Sequence, residues 1–391
     1  MYNVNVANSE KNVKCRRAKK DKISALWNEN KKTRREQAAV RFSRERFYFH
    51  SIMRKLWQKI ARLNKGAFFA IIRSMIWVIG STGMLGAELC RLLEKNKIQF
   101  VGTSSAVDAR DFTALKAFAD KWERDNYVSA HKNGEPGRIQ WIVNCSAYTA
   151  VEKAESDKEA AQALNVDAAR NIARTAREIG AKLIHISTDY VFDGKASAPY
   201  TESGAKSPLG VYGKTKSDGE DEIQKTMNQY FIIRTSWLYG YGRPNFVYTM
   251  AKLMNSKEEI KVVNDQRGSP TFTADLAEAI LDIIKTCGKA GTNIFSKETV
   301  PYGIYHYTDS GDTTWFDFAV EIQRLLKKRK LLSNDCRVLP CTTAEFGAKV
   351  ERPAYSVLSK EKIKAALKIK IPKWQDSLER FIKDARFEMP Q

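Results

Sequence analysis

The sequence has 391 residues, of which 43% are hydrophobic, so it can bury a real core as one large α/β domain with a smaller region or as two domains. No uninterrupted apolar run approaches the length needed to cross a bilayer, which excludes a transmembrane helix. The net charge of +21 is typical of proteins that bind nucleic acid. Most of this charge lies in residues 1–74, which carry 20 Lys and Arg against five Asp and Glu. The rest of the chain is mildly basic, so we expect no nucleic-acid binding by residues 75–391.

Residues 1–74 are interpreted as a basic N-terminal extension, whose first half is typical of solvated helix or disorder. Between residues 47 and 72, apolar side chains recur at helical spacing among basic ones, as in a helix that lies on a membrane surface. Met75 stands directly before the first predicted strand. A gene-model artefact is therefore the alternative to a segment that makes peripheral membrane contact.

The six cysteines are scattered along the chain, and none forms a Cys-x-x-Cys pair. The shortest interval, between Cys336 and Cys341, has no histidine near it. We therefore predict no metal site and interpret the cysteines as reduced thiols of a cytoplasmic protein.

From Met75 onward, short apolar strands alternate with helices. Strands are predicted at residues 76–79, 100–101, 141–143, 183–186 and 231–233, helices at 85–96, 155–179 and 214–226, and a surface loop at 120–138. This alternation predicts an α/β fold, a Rossmann-type doubly wound parallel sheet, with residues 75–240 as the NAD(P)-binding domain. Residues 241–391 contain shorter elements and are predicted to form mainly a smaller mixed α/β substrate-binding region, with some elements returning to the first domain.

Three glycines, Gly80, Gly83 and Gly86, lie between the first predicted strand and the first predicted helix. Glycine lets the backbone turn sharply and approach a pyrophosphate, and the start of a helix offers free N–H groups. In this setting the motif predicts a dinucleotide site.

The second predicted strand ends without the acidic residue that often binds the ribose hydroxyls of NAD. Gly102 is followed by Thr103, Ser104 and Ser105, whose hydroxyls are suited to hold the extra phosphate of NADP. NADPH is thus permitted, and the choice between NADPH and NADH stays open.

Tyr212 and Lys216 are four residues apart at the start of a predicted helix, hence on one face. A lysine charge there favours the phenolate, so we expect Lys216 to lower the pKa of Tyr212. Tyr212 could then exchange a proton with a substrate oxygen. Thr188 and Asp189 follow the strand at 183–186, at the sheet edge where ligands gather. The histidines at 131, 185 and 306 are interpreted as structural or exposed.

Residues 75–391 resemble the dTDP-4-dehydrorhamnose reductases, which belong to the extended short-chain dehydrogenases. The matching segments are residues 144–155, 187–194, 212–216, 234–239, 245–246, 265–271 and 352–358. The extension, the segment near residue 133 and Gly102, where an acidic residue is usual, depart from the family pattern.

The resemblance implies roles for individual residues. It implies a catalytic set of Thr188, Tyr212 and Lys216. It implies cofactor contacts from Tyr212 and Lys216 and also from Gly83, Met84, Leu85, Asp111, Phe112, Ala147, Tyr148 and Thr149. Sugar contacts are implied for Thr188, Asp189 and Trp237. Asp111 and Phe112 are expected beside the adenine, and Leu85 beside the pyrophosphate.

The implied reaction is NADPH- or NADH-dependent reduction of dTDP-4-dehydro-β-L-rhamnose to dTDP-β-L-rhamnose. One alternative is reduction of another nucleotide-linked 4-keto sugar. The other is a non-catalytic NADP-binding regulatory role, because the β subunit of methionine adenosyltransferase resembles these reductases. A homodimer and a magnesium ion are left open.

Overall fold

A computed structural model of the chain describes residues 75–133, 138–289, 300–348 and 350–390. The predictions made for residues 1–74 lie outside the described residues. Within the described ranges the strands are β1 Met75–Ile79, β2 Phe100–Thr103, β3 Ile139–Asn144, β4 Lys182–Thr188, β5 Tyr230–Thr235, β6 Leu238–Tyr239, β7 Glu259–Val263, β8 Arg267–Gly268, β9 Thr271–Phe272, β10 Gly303–His306, β11 Thr313–Thr314 and β12 Arg337–Cys341.

Helices connect these strands. They are α1 Met84–Lys95, α2 Phe112–Asn133, α3 Val151–Ala154, α4 Lys158–Gln162, α5 Ala168–Ile179, α6 Val211–Thr226, α7 Phe246–Ser256, α8 Thr273–Lys289, α9 Trp315–Lys328, α10 Thr343–Phe346, α11 Glu361–Leu367 and α12 Trp374–Lys383. A π-helical turn, Ala163–Asp167, joins α4 to α5, and a 3₁₀ turn, Asp189–Val191, follows β4.

The central sheet has six parallel strands in the order β10-β5-β4-β3-β1-β2. β2 lies on one side of β1 and β3 lies on the other, so the direction in which the chain adds strands to the sheet reverses at β1. The predicted doubly wound parallel α/β fold is confirmed.

Apolar side chains of β1 alternate between the two faces of the sheet. Ile76 and Val78 pack in the core under α1 and α8, whereas Trp77 and Ile79 pack in the core under α2, α5 and α6. Burial of each large apolar side chain contributes roughly 1.5–3 kcal/mol. A strand that is buried on both faces needs an unbroken run of apolar residues, and β1 has such a run, so it could be predicted from the sequence.

Two predicted boundaries are wrong. The loop expected at residues 120–138 is helical as far as Asn133, with Lys116 paired to Asp120 one turn along the helix. The helical stretch expected over residues 155–179 begins at Lys158 and contains the π-helical turn.

The remaining short strands form three two-stranded pairs, β6 with β9, β7 with β12 and β8 with β11. Around them, α7, α9 and α12 enclose an aromatic core that includes Tyr239, Phe318 and Phe381. β10 pairs with β5 and so adds a late part of the chain to the central sheet.

Candidate active site

The carboxyl ends of β1, β3 and β4 lie side by side at one edge of the central sheet. Ile79 is in register with Asn144, and Asn144 is in register with His185. The glycine loop, the segment 145–150 and Thr188 all leave the sheet at this edge, next to the reversal of strand order. Ligands of doubly wound sheets bind at such a point.

The glycine loop has the shape that a pyrophosphate requires. Gly80 has φ +78°, and a Cβ there would lie 2.8 Å from the backbone nitrogen of Ser146, so a larger residue is excluded. The N-cap residue of α1 is Gly83, and no side chain caps the helix. The first N–H groups of α1 are therefore free to bind an anion, and this backbone fits the phosphates of a dinucleotide.

The end of β2 packs closely on the same loop. A Cβ at Gly102 would lie 2.7 Å from Cβ of Ser81. The Oγ1 atom of Thr103 accepts a 2.8 Å hydrogen bond from Nε1 of Trp77, and the residue is buried. Thr103 thus packs in the core, whereas Ser104 is half-buried and Ser105 is exposed. The phosphate contact expected of the three hydroxyls stays a prediction.

Asp111 and Phe112 stand at the start of α2. Oδ1 of Asp111 accepts the backbone N–H of Thr113 at 2.7 Å, and the guanidinium of Arg174 lies 3.7 Å from the ring centre of Phe112. Asp111 is exposed and Phe112 is half-buried, so both remain accessible for the predicted adenine contact.

The segment after β3 is fixed by a residue of the π-helical turn. Oδ1 of Asn165 accepts the backbone N–H of Tyr148 at 2.9 Å, and its Nδ2 donates to Oγ1 of Thr215 on α6 at 3.0 Å. The Tyr148 hydroxyl donates to Asp157 at 3.0 Å. Ala147 is half-buried and Thr149 is exposed. Asn165 therefore ties the predicted cofactor segment to the helix that carries Tyr212.

Thr188 and Tyr212 are brought together. Thr188 is the last residue of β4 and Tyr212 lies in the first turn of α6, and their hydroxyl groups lie close enough for Thr188 to affect the pKa of Tyr212. Burial raises the pKa of the Tyr212 phenol to about 12, and the nearby Asp189 charge adds to the rise, while the nearby Thr188 hydroxyl opposes it. The expectation that the Tyr212 pKa is lowered by Lys216 is therefore wrong.

Lys216 instead interacts with β4. Its Nζ donates to the carbonyl of Ile186 at 2.7 Å and lies 3.3 Å from Nε2 of His185. The side chain is buried, and burial lowers its pKa to about 8, partly offset by the Glu220 charge.

Asp189 is buried beside Thr188, whose hydroxyl donates to Asp189 Oδ1 at 3.0 Å. Oδ2 is buried and has no hydrogen-bond partner among the described residues. Burial raises the pKa of this carboxyl to about 6. A buried acceptor without a partner is suited to a ligand hydroxyl.

Trp237 has a left-handed backbone with φ 47°, which is uncommon for a bulky residue. Its ring stacks on Trp315 at 3.6 Å between centroids. A Cβ at Gly268 would lie 2.6 Å from its Cε2 atom. The half-buried indole is thus closely packed by both neighbours.

Sequence analysis gave no role in this region to Asn144 or Asn165, and it interpreted His185 as structural or exposed. Each is buried although polar, and Asn165 lies in a segment that otherwise places alanines toward the core. A polar residue on the apolar face of a predicted helix was the available signal.

Among the residues that the structure describes, no cluster of three or more His, Cys, Asp or Glu side chains is arranged to hold a metal ion. Within the same ranges, no helix is both long and apolar enough to cross a membrane.

The chain is similar to known proteins over most of its length. Residues 74–387 match the family model described as the RmlD substrate binding domain. A dTDP-4-dehydrorhamnose reductase of Streptomyces griseus is 37% identical over 305 residues, covering 77% of this chain and 91% of the relative. A probable dTDP-4,6-dihydroxy-2-methyloxan-3-one 4-ketoreductase of Streptomyces antibioticus is 37% identical over 308 residues, covering 78% and 93%.

The crystal structure of a dTDP-4-dehydrorhamnose reductase from Bacillus anthracis in complex with NADP is 33% identical, with a TM-score of 0.68, and the match covers 79% of this chain and 99% of that one. The chain belongs to the RmlD substrate binding domain family, together with the dTDP-4-dehydrorhamnose reductases.

Proposed function

We propose that this protein reduces the 4-keto group of dTDP-4-dehydro-β-L-rhamnose with NADPH or NADH, giving dTDP-β-L-rhamnose. The observation that carries the proposal is the proximity of the Thr188 and Tyr212 hydroxyl groups at the sheet edge that also holds the glycine loop. A keto reductase needs a proton donor beside its hydride donor, and the Tyr212 hydroxyl would be that proton donor.

In the proposed mechanism Tyr212 is the acid. Because the pKa of its phenol is raised to about 12, the hydroxyl keeps its proton at neutral pH and can give it to the carbonyl oxygen. Thr188 hydrogen-bonds to the same oxygen and holds it in line. Asp189 accepts a sugar hydroxyl through its free Oδ2, and Trp237 contacts the sugar.

The bound nicotinamide cofactor would supply the hydride. Its pyrophosphate would lie on Gly80, Gly83, Met84, Leu85 and Gly86, its adenine beside Asp111 and Phe112, and its inner half along Ala147, Tyr148 and Thr149. Lys216 would bind the nicotinamide ribose. The bare N-terminus of α1 supports the position of the pyrophosphate, and the hydrogen bond from Tyr148 to Asn165 holds segment 145–150 next to α6.

A second candidate is reduction of a different dTDP-linked keto sugar. It is favoured by one observation, that the 4-ketoreductase of Streptomyces antibioticus and the rhamnose enzyme of Streptomyces griseus are equally similar to this chain, at 37% identity. The base and sugar contacts would come from the region around Trp237, whereas the ketone chemistry would be shared.

The proposal also includes a cytoplasmic location, in keeping with the free thiols among the described residues. A homodimer and a membrane contact through residues 1–74 remain predictions, and that segment lies outside the described residues.

The test is steady-state oxidation of NADPH with purified protein. Turnover should be fastest with dTDP-4-dehydro-β-L-rhamnose and should fall sharply with dTDP-4-keto-6-deoxy-D-glucose. The reverse order would move the assignment to the second candidate. Tight NADPH binding without turnover of either sugar would instead support the regulatory alternative.

A further inference from the structure

The loop between β6 and α7, residues 240–245, packs against the glycine loop. The guanidinium of Arg243 donates to the carbonyl of Thr82 through Nη2 at 2.9 Å and through Nε at 3.2 Å. Nδ2 of Asn245 lies 3.7 Å from Sδ of Met84. A residue from the second half of the chain thus places a positive charge on the loop that leads into α1.

Asn245 fixes the backbone of loop 240–245. Its Nδ2 donates to the carbonyls of Gly240 at 2.7 Å and of Arg243 at 3.0 Å. Its Oδ1 accepts the backbone N–H groups of Val247 at 3.1 Å and of Tyr248 at 3.3 Å, so the same side chain caps α7. Because its backbone is held in this way, Arg243 presents its side chain to the glycine loop from a defined position.

The Arg243 guanidinium has donors left for a ligand. Of its five N–H groups, the hydrogen bonds to Thr82 use one on Nε and one on Nη2. The side chain is exposed, and within the described ranges it forms no ion pair with Asp or Glu. Its charge is therefore available to an anion that binds at the glycine loop.

The glycine loop itself supplies only partial charges. Residues 80–86 include no charged side chain, and the first turn of α1 has no acidic residue. A helix N-terminus is equivalent to roughly half a positive charge, whereas a pyrophosphate is a dianion. Thr82 directly precedes Gly83, the N-cap of α1, so the guanidinium adds a full positive charge beside the free N–H groups.

The first acidic side chain of α1 does not compete for Arg243. Glu88 pairs with Arg91 at 2.5 Å and with Arg386 at 2.7 Å. Its charge is thus already balanced by two arginines.

We propose that Arg243 is a further cofactor-binding residue, which donates to the pyrophosphate of the bound dinucleotide while it remains on the carbonyl of Thr82. Arginine suits this role, because its planar group offers several donors to a phosphate at once. The inference rests on the dinucleotide site of the proposed function, but it does not depend on which sugar is reduced.

Two other phosphate groups share this chemistry, the 2′-phosphate of NADPH and the diphosphate of dTDP. The contact with the glycine loop favours the cofactor pyrophosphate, since dinucleotides place their pyrophosphate on such a loop. NADPH and NADH have the same pyrophosphate. Both should therefore depend equally on Arg243, and dTDP should not depend on it.

The experiment measures the dissociation constants of NADPH, NADH and dTDP for the full-length protein by calorimetric titration, with no keto sugar present. Arg243→Gln should bind NADPH and NADH about tenfold more weakly, the scale of a charge-assisted hydrogen bond at an exposed site. Its affinity for dTDP should be unchanged. Arg243→Lys keeps the charge but loses the planar group, so it should recover part of the lost affinity.

Arg337→Gln is the matched control. Arg337 is an exposed arginine of β12 that pairs with Glu259 at 2.7 Å, so its replacement removes the same charge away from the glycine loop. This variant should bind all three ligands as the native protein does.

Salt separates a charge contact from a change in loop structure. Raising the salt concentration from about 0.1 M to about 1 M shortens the screening length from roughly 10 Å to 3 Å. NADPH binding should therefore weaken more in the native protein than in Arg243→Gln. Equal salt dependence in the two proteins would contradict the proposal.

Three results for Arg243→Gln would overturn the proposal: native affinity for both cofactors, a loss confined to NADPH, or a loss confined to dTDP. A loss confined to NADPH would assign Arg243 to the 2′-phosphate. If the native protein binds both cofactors but reduces none of the tested sugars, the proposed function fails, while these dissociation constants still decide the role of Arg243. Native protein that binds neither cofactor would overturn both.

Discussion

Asn165 donates a 3.0 Å hydrogen bond to Thr215, and the same side chain exchanges hydrogen bonds with the backbone of Tyr148. Asn165 lies in a π-helical turn, a feature often found at functional sites. Its amide lies between segment 145–150 and α6. This one side chain thus sets the distance between the predicted cofactor segment and the helix of Tyr212 and Lys216.

Replacing Asn165 with Ala should lower the free energy of unfolding by about 1–3 kcal/mol, because it leaves buried polar groups unpaired. It should also weaken cofactor binding. Chemical denaturation and cofactor titration check both effects. Asn171→Ala is the matched control, since its amide donates to Arg110 in an exposed setting, and equal losses in the two variants would argue against a special role for Asn165.

Replacing Tyr212 with Phe should reduce kcat by roughly two to four orders of magnitude, the usual size of positioned acid–base catalysis. Cofactor affinity should remain close to the native value, because the ring is kept. Tyr230→Phe, at the start of β5, is the control and should retain native turnover. Nearly normal kcat in Tyr212→Phe would remove this residue from the acid role.

The Asp189 carboxyl should contribute less to the free energy of unfolding at neutral pH than at acid pH. Its pKa is raised from 3.8 to about 6 by burial, so the folded state binds the proton more tightly than the unfolded state. Stability from this group is present below about pH 4 and is lost as the pH rises through 6, by on the order of 3 kcal/mol at neutral pH.

Asp189→Asn should therefore increase the free energy of unfolding at pH 7.5 while reducing kcat/KM. Urea unfolding at pH 7.5 and pH 4.5 tests this, because the gain should shrink at the lower pH. A stability change that is the same at both values would show that the carboxyl charge is not responsible.

The choice between NADPH and NADH is expected to depend on the residue at position 102, at the end of β2. Packing against Ser81 limits which side chains fit there. A carboxylate at position 102 should disfavour the NADPH phosphate by repulsion and bind the NADH ribose. A Cβ there would overlap Ser81 at 2.7 Å, so Gly102→Asp must be combined with Ser81→Gly. We expect native protein to use NADPH at least as well as NADH.

The double variant should shift the preference toward NADH by about 1–3 kcal/mol, the range for hydrogen bonds to charged groups. Gly102→Ala with Ser81→Gly controls for the added volume. The measurement is the ratio of the kcat/KM values for NADPH and NADH in the native protein, the double variant and the control. Strong native preference for NADH, or an equal shift in the control, would place the determinant elsewhere.

The parts of the fold that sequence predicted are those with local signals. β1 is an uninterrupted apolar run, and the glycine loop combines a turn with a helix start, so both were located within a residue or two. The helix through residues 120–133 was missed because the Gly and Pro residues at 134–137 dominate the local pattern.

The site was only partly predictable for a different reason. Tyr212 and Lys216 were paired by helical spacing, yet the position of the Lys216 ammonium depends on His185 and Ile186 from another strand. The overlap between positions 81 and 102 likewise arises from packing across 21 residues of sequence. Such contacts exist only once the sheet has assembled, and no local pattern reports them.

Transfer of a labelled hydride tests the central proposal most directly. NADPH that carries deuterium at the transferable position should be incubated with dTDP-4-dehydro-β-L-rhamnose and this protein. The result expected is dTDP-β-L-rhamnose with one deuterium on C4 of the sugar, and loss of that product with Tyr212→Phe. A protein that binds NADPH but leaves the ketone unlabelled and unreduced would contradict the assignment of this chain as a 4-keto-sugar reductase.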